Sequence, residues 1–218
     1  MNILCKKKEA GYRRQARERA TAPNGSGASP NIAIMDSPSI TPPVTIKLDL
    51  GCGPNKREGF LGVDMRPFDG KVDVVTDLRK TWPWPDNSIL EAHSSHFVEH
   101  LWMTEEKPER VHFVNELYRV LVPGGKATII VPNWSSCRAY GDYSHCWPPV
   151  SEFWFFYLDR GWRAANAPHN DLYTCDFLAT WGYSIHQYFQ TRSQESQQFA
   201  FQFYKEAAPD LIATLTKR

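Results

Sequence analysis

Two short stretches of the chain concentrate residues that can do chemistry. The first is Asp49-Leu-Gly-Cys-Gly-Pro54, an acid followed by a glycine turn. Glycines let a ligand approach the backbone closely, and the N–H groups beyond them can take a carboxylate or a phosphate. The second is His93-Ser-Ser-His-Phe-Val-Glu-His100. Imidazole titrates near neutral pH, so it serves as a general base or as a metal ligand. His96-x-x-Glu99-His100 also matches the inverted zinc-protease pattern, in which two histidines one helical turn apart bind zinc and the glutamate is the base. That pattern requires a helix under all three residues and a third ligand downstream. Spacing points to none: Cys137, His145, Cys146, His169 and Cys175 lack a Cys-x-x-Cys knuckle, and no metal is assigned. Two other readings stay open. Glu99 and His100 can simply start a helix, or the segment can line an active site with His96 as its base.

These residues must be held by a scaffold, and the hydrophobic pattern indicates which. Val44–Leu50 is a β-branched, largely apolar run stopped by the glycine turn. Phe60–Asp64 and Val72–Asp77 read as further strands, each ending in an acid, and Ile89–Ser95 as a weaker fourth. Residues 105–121 read as a helix, with Val111, Val114, Tyr118 and Leu121 on one face; Pro123-Gly124-Gly125 stops it before a fifth strand, Lys126–Val131. Strands alternating with helical connections imply a parallel sheet with helices on both faces. Beyond it, Ser151–Tyr157 is expected to be helical, Gly182–Phe189 and Phe199–Tyr204 to be strands, and Pro209–Leu215 to be a closing helix.

In an open parallel sheet, ligands bind beyond the carboxyl ends of the strands, where Asp49, the glycine turn, Asp64 and Asp77 all fall. A Walker loop needs Gly-Lys-Ser/Thr after the turn, and the chain reads Pro54-Asn-Lys-Arg57. A dinucleotide fingerprint needs a third glycine where Lys56 stands. With both phosphate readings excluded, an acid before the turn suits a ligand carrying a positive group. S-adenosylmethionine fits: Asp64 can accept both ribose hydroxyls, and Asp77 can take the adenine amino group while Leu78 packs on the ring.

Leu48-Asp-Leu-Gly-Cys-Gly53, Gly62-Val-Asp64 and Glu116–Val131 with its Leu-Val-Pro-Gly-Gly core, in this order, resemble a class I S-adenosylmethionine-dependent methyltransferase, similar to the type 11 group. The resemblance covers about residues 45–135. It implies a Rossmann-like, doubly wound, mostly parallel seven-stranded sheet with an antiparallel last strand. It also implies cofactor contacts at Asp49, Gly51, Cys52, Gly53, Asp64, Asp77 and Leu78. Only ten residues separate Gly53 from Asp64, so the family's first helix must shrink to about one turn. Cys52, inside the turn, reads as a packing residue rather than a nucleophile.

The segment after the fifth strand, Pro132–Pro149, is rich in aromatic and turn residues, and Trp134, Tyr140 and His145 are candidates for lining an acceptor pocket. The Asn/Asp-Pro-Pro-aromatic sequence of DNA amino-methylating enzymes is replaced by Ser94-Ser-His-Phe97, and no Pro-Cys pair for cytosine C5 chemistry is present. A small-molecule acceptor is the expectation. The alternatives are a catalytically idle module of the same fold and a zinc hydrolase built on His96, Glu99 and His100.

Composition agrees with one enzyme-sized domain plus a tail. The chain has 218 residues, 42% hydrophobic and 13% aromatic, enough for a packed core. Residues 1–20 carry a net charge of +5, which leaves the rest at −4 against the chain's overall +1. The acidic body argues against a nucleic-acid surface, whereas the basic tail can touch phosphate weakly. Residues 21–44 hold five Pro, two Gly and four Ser, so residues 1–44 are expected to be a flexible extension and residues 45–218 the domain. A start at Met35 is the alternative account of the basic stretch. Five widely spaced cysteines, no apolar h-region after Lys6–Lys8 and no apolar run of membrane-spanning length predict a soluble, cytoplasmic protein.

Overall fold

The computed structural model describes residues 45–218; the expected extension, residues 1–44, lies outside them. Seven strands form one sheet: β1 (Lys47–Leu50), β2 (Leu61–Asp64), β3 (Val74–Val75), β4 (Ile89–Ser95), β5 (Leu121–Pro132), β6 (Phe177–Tyr183) and β7 (Asp210–Lys217). Their order is β3-β2-β1-β4-β5-β7-β6. The first five are parallel, and β7 inserts antiparallel between β5 and β6. The mostly parallel seven-stranded α/β sheet with an antiparallel last strand is therefore present. Its direction of winding reverses between β1 and β4, the position at which open sheets leave a crevice.

Alternation explains the core. Leu48 and Leu50 on β1, Ala92 on β4, Ala127 and Ile129 on β5, and Ala213 and Leu215 on β7 are all buried on one face. The helix α1 (Glu109–Val120) covers that face with Val111, Phe113, Val114 and Leu117. Lys47, Glu91 and Lys126, and then Asp49, His93 and Thr128, form successive cross-strand rows on the other face. Right-handed crossovers place the β1–β2 and β2–β3 connections there, and both are turns: residues 51–60 hold no helix, and the second connection holds a single 3₁₀ turn, Phe68–Gly70. The expected one-turn first helix is absent, and Lys56 from this loop lies over Gly62 instead. The helical cover is thick on one face and thin on the other.

The junction of α1 with β5 is tighter than the sequence suggested. The helix ends at Val120, and β5 starts at Leu121 rather than Lys126, with a register shift between the pairs Ile89–Leu121 and Glu91–Lys126. Gly125 sits in this irregularity, where a Cβ would come within 2.8 Å of the Val122 carbonyl oxygen and 3.1 Å of that of Leu90.

Three assignments in the last third change. Phe199–Tyr204 is not a strand: α5 runs Gln194–Phe203, with the Ser193 hydroxyl accepting the Ser196 N–H. Phenylalanines at 199, 201 and 203 alternate as in a strand, yet Phe199 and Phe203 stack on one helix face while Phe201 meets Tyr183. Pro209–Leu215 is not a helix. It lies largely in β7, where Leu211, Ala213, Leu215 and Lys217 are buried at every second position and both edges are paired. Two paired edges outweigh a proline start signal. The strand expected over Gly182–Phe189 is β6, displaced toward the N-terminus, and Gln187–Phe189 is a 3₁₀ turn. Of Val72–Asp77 only Val74 and Val75 pair. Short helices α2 (Arg138–Gly141), α3 (Glu152–Phe156, as expected) and α4 (Arg160–Asn166) connect β5 to β6. No helix among the described residues is long and apolar enough to cross a membrane.

Candidate active site

The site is built outward from the end of β1. The Gly51 and Cys52 N–H groups both donate to the Val63 carbonyl, at 2.8 and 3.2 Å, tying the glycine turn to β2. Gly51 has φ +68°, and a Cβ there would lie 2.2 Å from the Phe97 ring. Only glycine permits both that backbone and that close approach. The Gly53 N–H donates to Asp64 Oδ2 at 3.0 Å, and the Arg66 N–H to Asp64 Oδ1 at 3.0 Å. A carboxylate accepts about four hydrogen bonds, so Asp64 keeps acceptor capacity. Beside it, the Cβ position of Gly53 faces open space.

Asp49 has a different place. It is 3% exposed, its Oδ2 accepting the Arg57 N–H at 2.7 Å and its Oδ1 lying 2.7 Å from His93 Nδ1. It braces the loop from below. Lys56 is paired with Asp73 at 2.9 Å, and the Arg57 guanidinium stands over the Phe60 ring. The Gly51, Cys52 and Gly53 N–H groups are thus engaged by Val63 and Asp64, so the turn offers acids and close backbone approach, without a lysine cradle for a pyrophosphate. Burial, and then Asp49 and Asp64, push the Cys52 thiol up to about 11, so it is a neutral packing group at physiological pH.

Two clefts adjoin. Asp49, Gly51, Cys52, Gly53, His93 and His96 line one of about 510 Å³. Met65, Asp77, Leu78, Arg79, Phe97 and His100 line the other, of about 110 Å³. Arg79 grips Asp77 through two guanidinium hydrogen bonds, at 2.9 and 3.1 Å, and its backbone N–H, at 3.0 Å, and holds its carboxyl below the usual range. Leu78 is largely in the core, 3% exposed. All seven expected cofactor residues stand at the carboxyl edge of β1–β3, with Asp64 bonded into the glycine turn.

A third cleft, about 590 Å³, is lined by His96, Glu99, His100, Arg138, Asp142 and His145 among others. His96 thus lines both this cleft and the glycine-turn cleft. Its φ is +54°, in the left-handed region, and its N–H donates to the Ile130 carbonyl. Its Nδ1 lies 3.3 Å from Glu99 Oε1, and this hydrogen bond raises its pKa against the opposing effect of burial. Val98–His100 is a 3₁₀ turn with His96 outside it. The helix required by the inverted zinc-protease pattern is therefore not formed.

His145 joins this cleft, whereas Trp134 and Tyr140 line a separate one with Phe201, Phe203 and Tyr204. Trp134 Nε1 donates to Glu152 at 3.0 Å, and the Tyr140 hydroxyl to the Trp134 carbonyl at 2.8 Å. Arg110 was missed by sequence reasoning. Its guanidinium, 2% exposed, donates to the carbonyls of Leu101, Cys146 and Pro148 and so pins the segment that carries His145. Burial pushes its pKa down. The available signal was an arginine at the first place of a 110/113/114/117 stripe that is otherwise apolar.

No protein-family model and no curated protein matches the chain. Solved structures do. An S-adenosylmethionine-dependent methyltransferase from Archaeoglobus fulgidus superimposes with a TM-score of 0.55 at 22% identity, covering 78% of this chain and 85% of that one. The fold is that of a SAM-dependent methyltransferase. A geranyl diphosphate C-methyltransferase from Streptomyces coelicolor A3(2) is also similar, with a TM-score of 0.47 at 13% identity over 80% of this chain and 74% of that one. Within this methyltransferase fold, the glycine turn ends β1 at the reversal of strand order, and Asp64 and Asp77 follow at the carboxyl ends of β2 and β3.

Proposed function

We propose that the chain binds S-adenosylmethionine and transfers its methyl group to a small-molecule acceptor. The observation that carries this reading is the Gly53–Asp64 pair: an acid that retains acceptor capacity, bonded to the glycine turn that lines the cleft of about 510 Å³, where no phosphate-binding lysine stands. The donor set fits the cofactor. Asp64 accepts the ribose hydroxyls, Asp77 the adenine amino group, and the Gly51–Gly53 backbone admits the chain between them. When bound, the cofactor supplies an activated methyl group on a sulfonium. The protein's contribution is then alignment, which accounts for most of the acceleration in such a transfer.

His96, which lines two clefts, marks where the reacting atoms meet, with the acceptor in the cleft toward His145. There it can take a proton from an acceptor that must lose one. The net acidic body disfavours a polynucleotide acceptor. Calorimetric titration of the full chain with S-adenosylhomocysteine tests the reading. One-to-one binding that Asp64→Ala weakens supports it, and an absence of binding overturns it.

A further inference from the structure

The cleft beyond His96 contains a group of side chains that methyl transfer by alignment does not use. Glu99, His100 and His145 each present one ligand atom, and these atoms lie within 4.8 Å of one another. Glu99 is 4% exposed, and its Oε2 is buried without a hydrogen-bond partner among the described residues, although its Oε1 is held by His96. An unpartnered buried carboxylate oxygen is costly and requires an explanation.

The hydrogen bonds of the two histidines supply one. His145 Nδ1 faces the Ala139 carbonyl at 3.2 Å, which can only accept, so this nitrogen carries the proton. His100 Nδ1 faces the Ser144 carbonyl at 3.3 Å and the Ser144 hydroxyl at 3.0 Å. That hydroxyl spends its own proton on Asp142 at 2.7 Å, so it too accepts from the imidazole. In the neutral imidazole, each ring so placed carries its one proton on Nδ1 and leaves the Nε2 lone pair for a ligand. A carbonyl or carboxylate-linked partner on the far nitrogen is how metal-binding histidines are oriented. The rings themselves meet edge to face, with centroids 4.8 Å apart.

We infer that Glu99 Oε2, His100 and His145 form a binding site for a divalent transition-metal ion, with zinc as the first candidate. Two histidines and one glutamate are a ligand set of catalytic zinc sites, which keep a further coordination position open. Tetrahedral zinc with bonds of about 2.0–2.1 Å needs its ligand atoms about 3.3 Å apart. His145 lies on a loop and His100 in a short turn, so small side-chain rotations close the difference. Arg110 fixes the Cys146 and Pro148 carbonyls, and the Cys146 N–H donates to the Glu99 carbonyl at 2.8 Å, which locks the two halves of the site together. The open position faces the cleft of about 590 Å³, where an oxygen atom of water or of an acceptor can bind. That last step, the acceptor as ligand, rests on the methyl-transfer reading; the metal site does not.

This is a different assembly from the one suggested by sequence. There, His96 and His100 were the pair and Glu99 the base. Here His96 supports Glu99 from outside, and the second histidine comes from a loop 45 positions on from His100.

The test strips the full chain of metal with a chelator and titrates it with Zn²⁺ by calorimetry and with Co²⁺ by visible absorption. The expected result is one ion per chain, a tetrahedral-type cobalt spectrum, and a higher thermal midpoint with zinc. Glu99→Gln and His145→Gln are each expected to weaken binding by more than the roughly 10- to 100-fold that loss of an outer partner costs. The exposed His169→Asn is expected to leave it unchanged, and circular dichroism checks that each variant folds. No stoichiometric binding to the parent protein, or equal binding in both the Glu99 and the His145 variants, overturns the site. S-adenosylhomocysteine titrated into the same metal-free protein separates the two ideas, since its failure to bind bears on the cofactor reading alone.

Discussion

The Phe97 ring fills the space that a side chain at position 51 would need, with Cδ2 only 2.2 Å from the Cβ position of Gly51. The residue after the left-handed His96 is thereby wedged against the glycine turn, coupling the end of β4 to the end of β1. Gly51→Ala forces a non-glycine residue to φ +68° and displaces Phe97. It is expected to cost about 1–3 kcal/mol of stability and to impair cofactor binding. Urea denaturation reads the first effect and calorimetry the second. Phe97→Ala alone loses the ring's packing on Phe113, and the double variant should be less destabilised than the sum of the two single changes, because the clash is removed.

Asp64 is held by two backbone N–H groups and, among the described residues, by no side-chain cation. Asp64→Ala is expected to weaken S-adenosylhomocysteine binding by about 1–3 kcal/mol, the range for a hydrogen bond to a charged group. Calorimetry with the parent and variant decides, and equal affinities would remove Asp64 from the ribose contact.

Cys52 offers a probe of the same site. With its thiol at about 11, only about a thousandth is thiolate at pH 8, so alkylation is slow and accelerates tenfold per pH unit until the pKa is approached. Asp64→Asn removes one of the charges that raise it and should speed labelling. Mass spectrometry of iodoacetamide-treated protein measures Cys52 separately from exposed Cys137.

Asp159 caps α4 by accepting the Trp162 N–H at 2.8 Å, and that bond, with Arg218 adding to it against a smaller opposing effect of burial, holds its carboxyl below the usual range. A depressed folded-state pKa adds stability above the unfolded value of about 3.9 that is lost as pH falls through the folded value. Asp159→Asn keeps a capping oxygen but not the charge. The parent protein should be the more stable at pH 7, and the two should converge as pH falls below about 4. Urea midpoints across this range provide the measurement.

His96 at φ +54° is a further place where conformation and role conflict. His96→Gly relieves a left-handed backbone that costs a non-glycine residue on the order of 1 kcal/mol. It also removes the imidazole that lines two clefts. Methyl-transfer activity should fall while thermal stability changes little, because the relieved backbone offsets the lost hydrogen bond to buried Glu99; a large loss of stability would mean that the side chain mainly supports the core.

Legibility in the sequence followed how local each determinant is. β1, β4 and α1 were readable because Leu48–Leu50, the Ile89–Ser95 run and the Val111/Val114 stripe encode their own burial. β7 was not, because its eight residues take their form from β5 and β6 on either side, and the three phenylalanines of α5 alternate like a strand. The glycine turn and its acids were found from residue type alone. What residue type does not show is that Asp49, besides lining the glycine-turn cleft, holds the Arg57 N–H and His93 and so braces the loop. His145 was named for an acceptor pocket with Trp134 and Tyr140; only three-dimensional structure could set it beside Glu99 and His100.

The sheet with helices on one face also has a thermodynamic signature. Unfolding exposes apolar area in proportion to what the native state hides, and both the heat-capacity increment and the urea m-value scale with that area. Rows such as Lys47–Glu91–Lys126 and Asp49–His93–Thr128 hide less of it than a second helical layer would. The domain should therefore unfold with a flatter stability curve and a shallower denaturant slope than a fully covered sheet of equal length. Such a protein loses less of its stability on cooling.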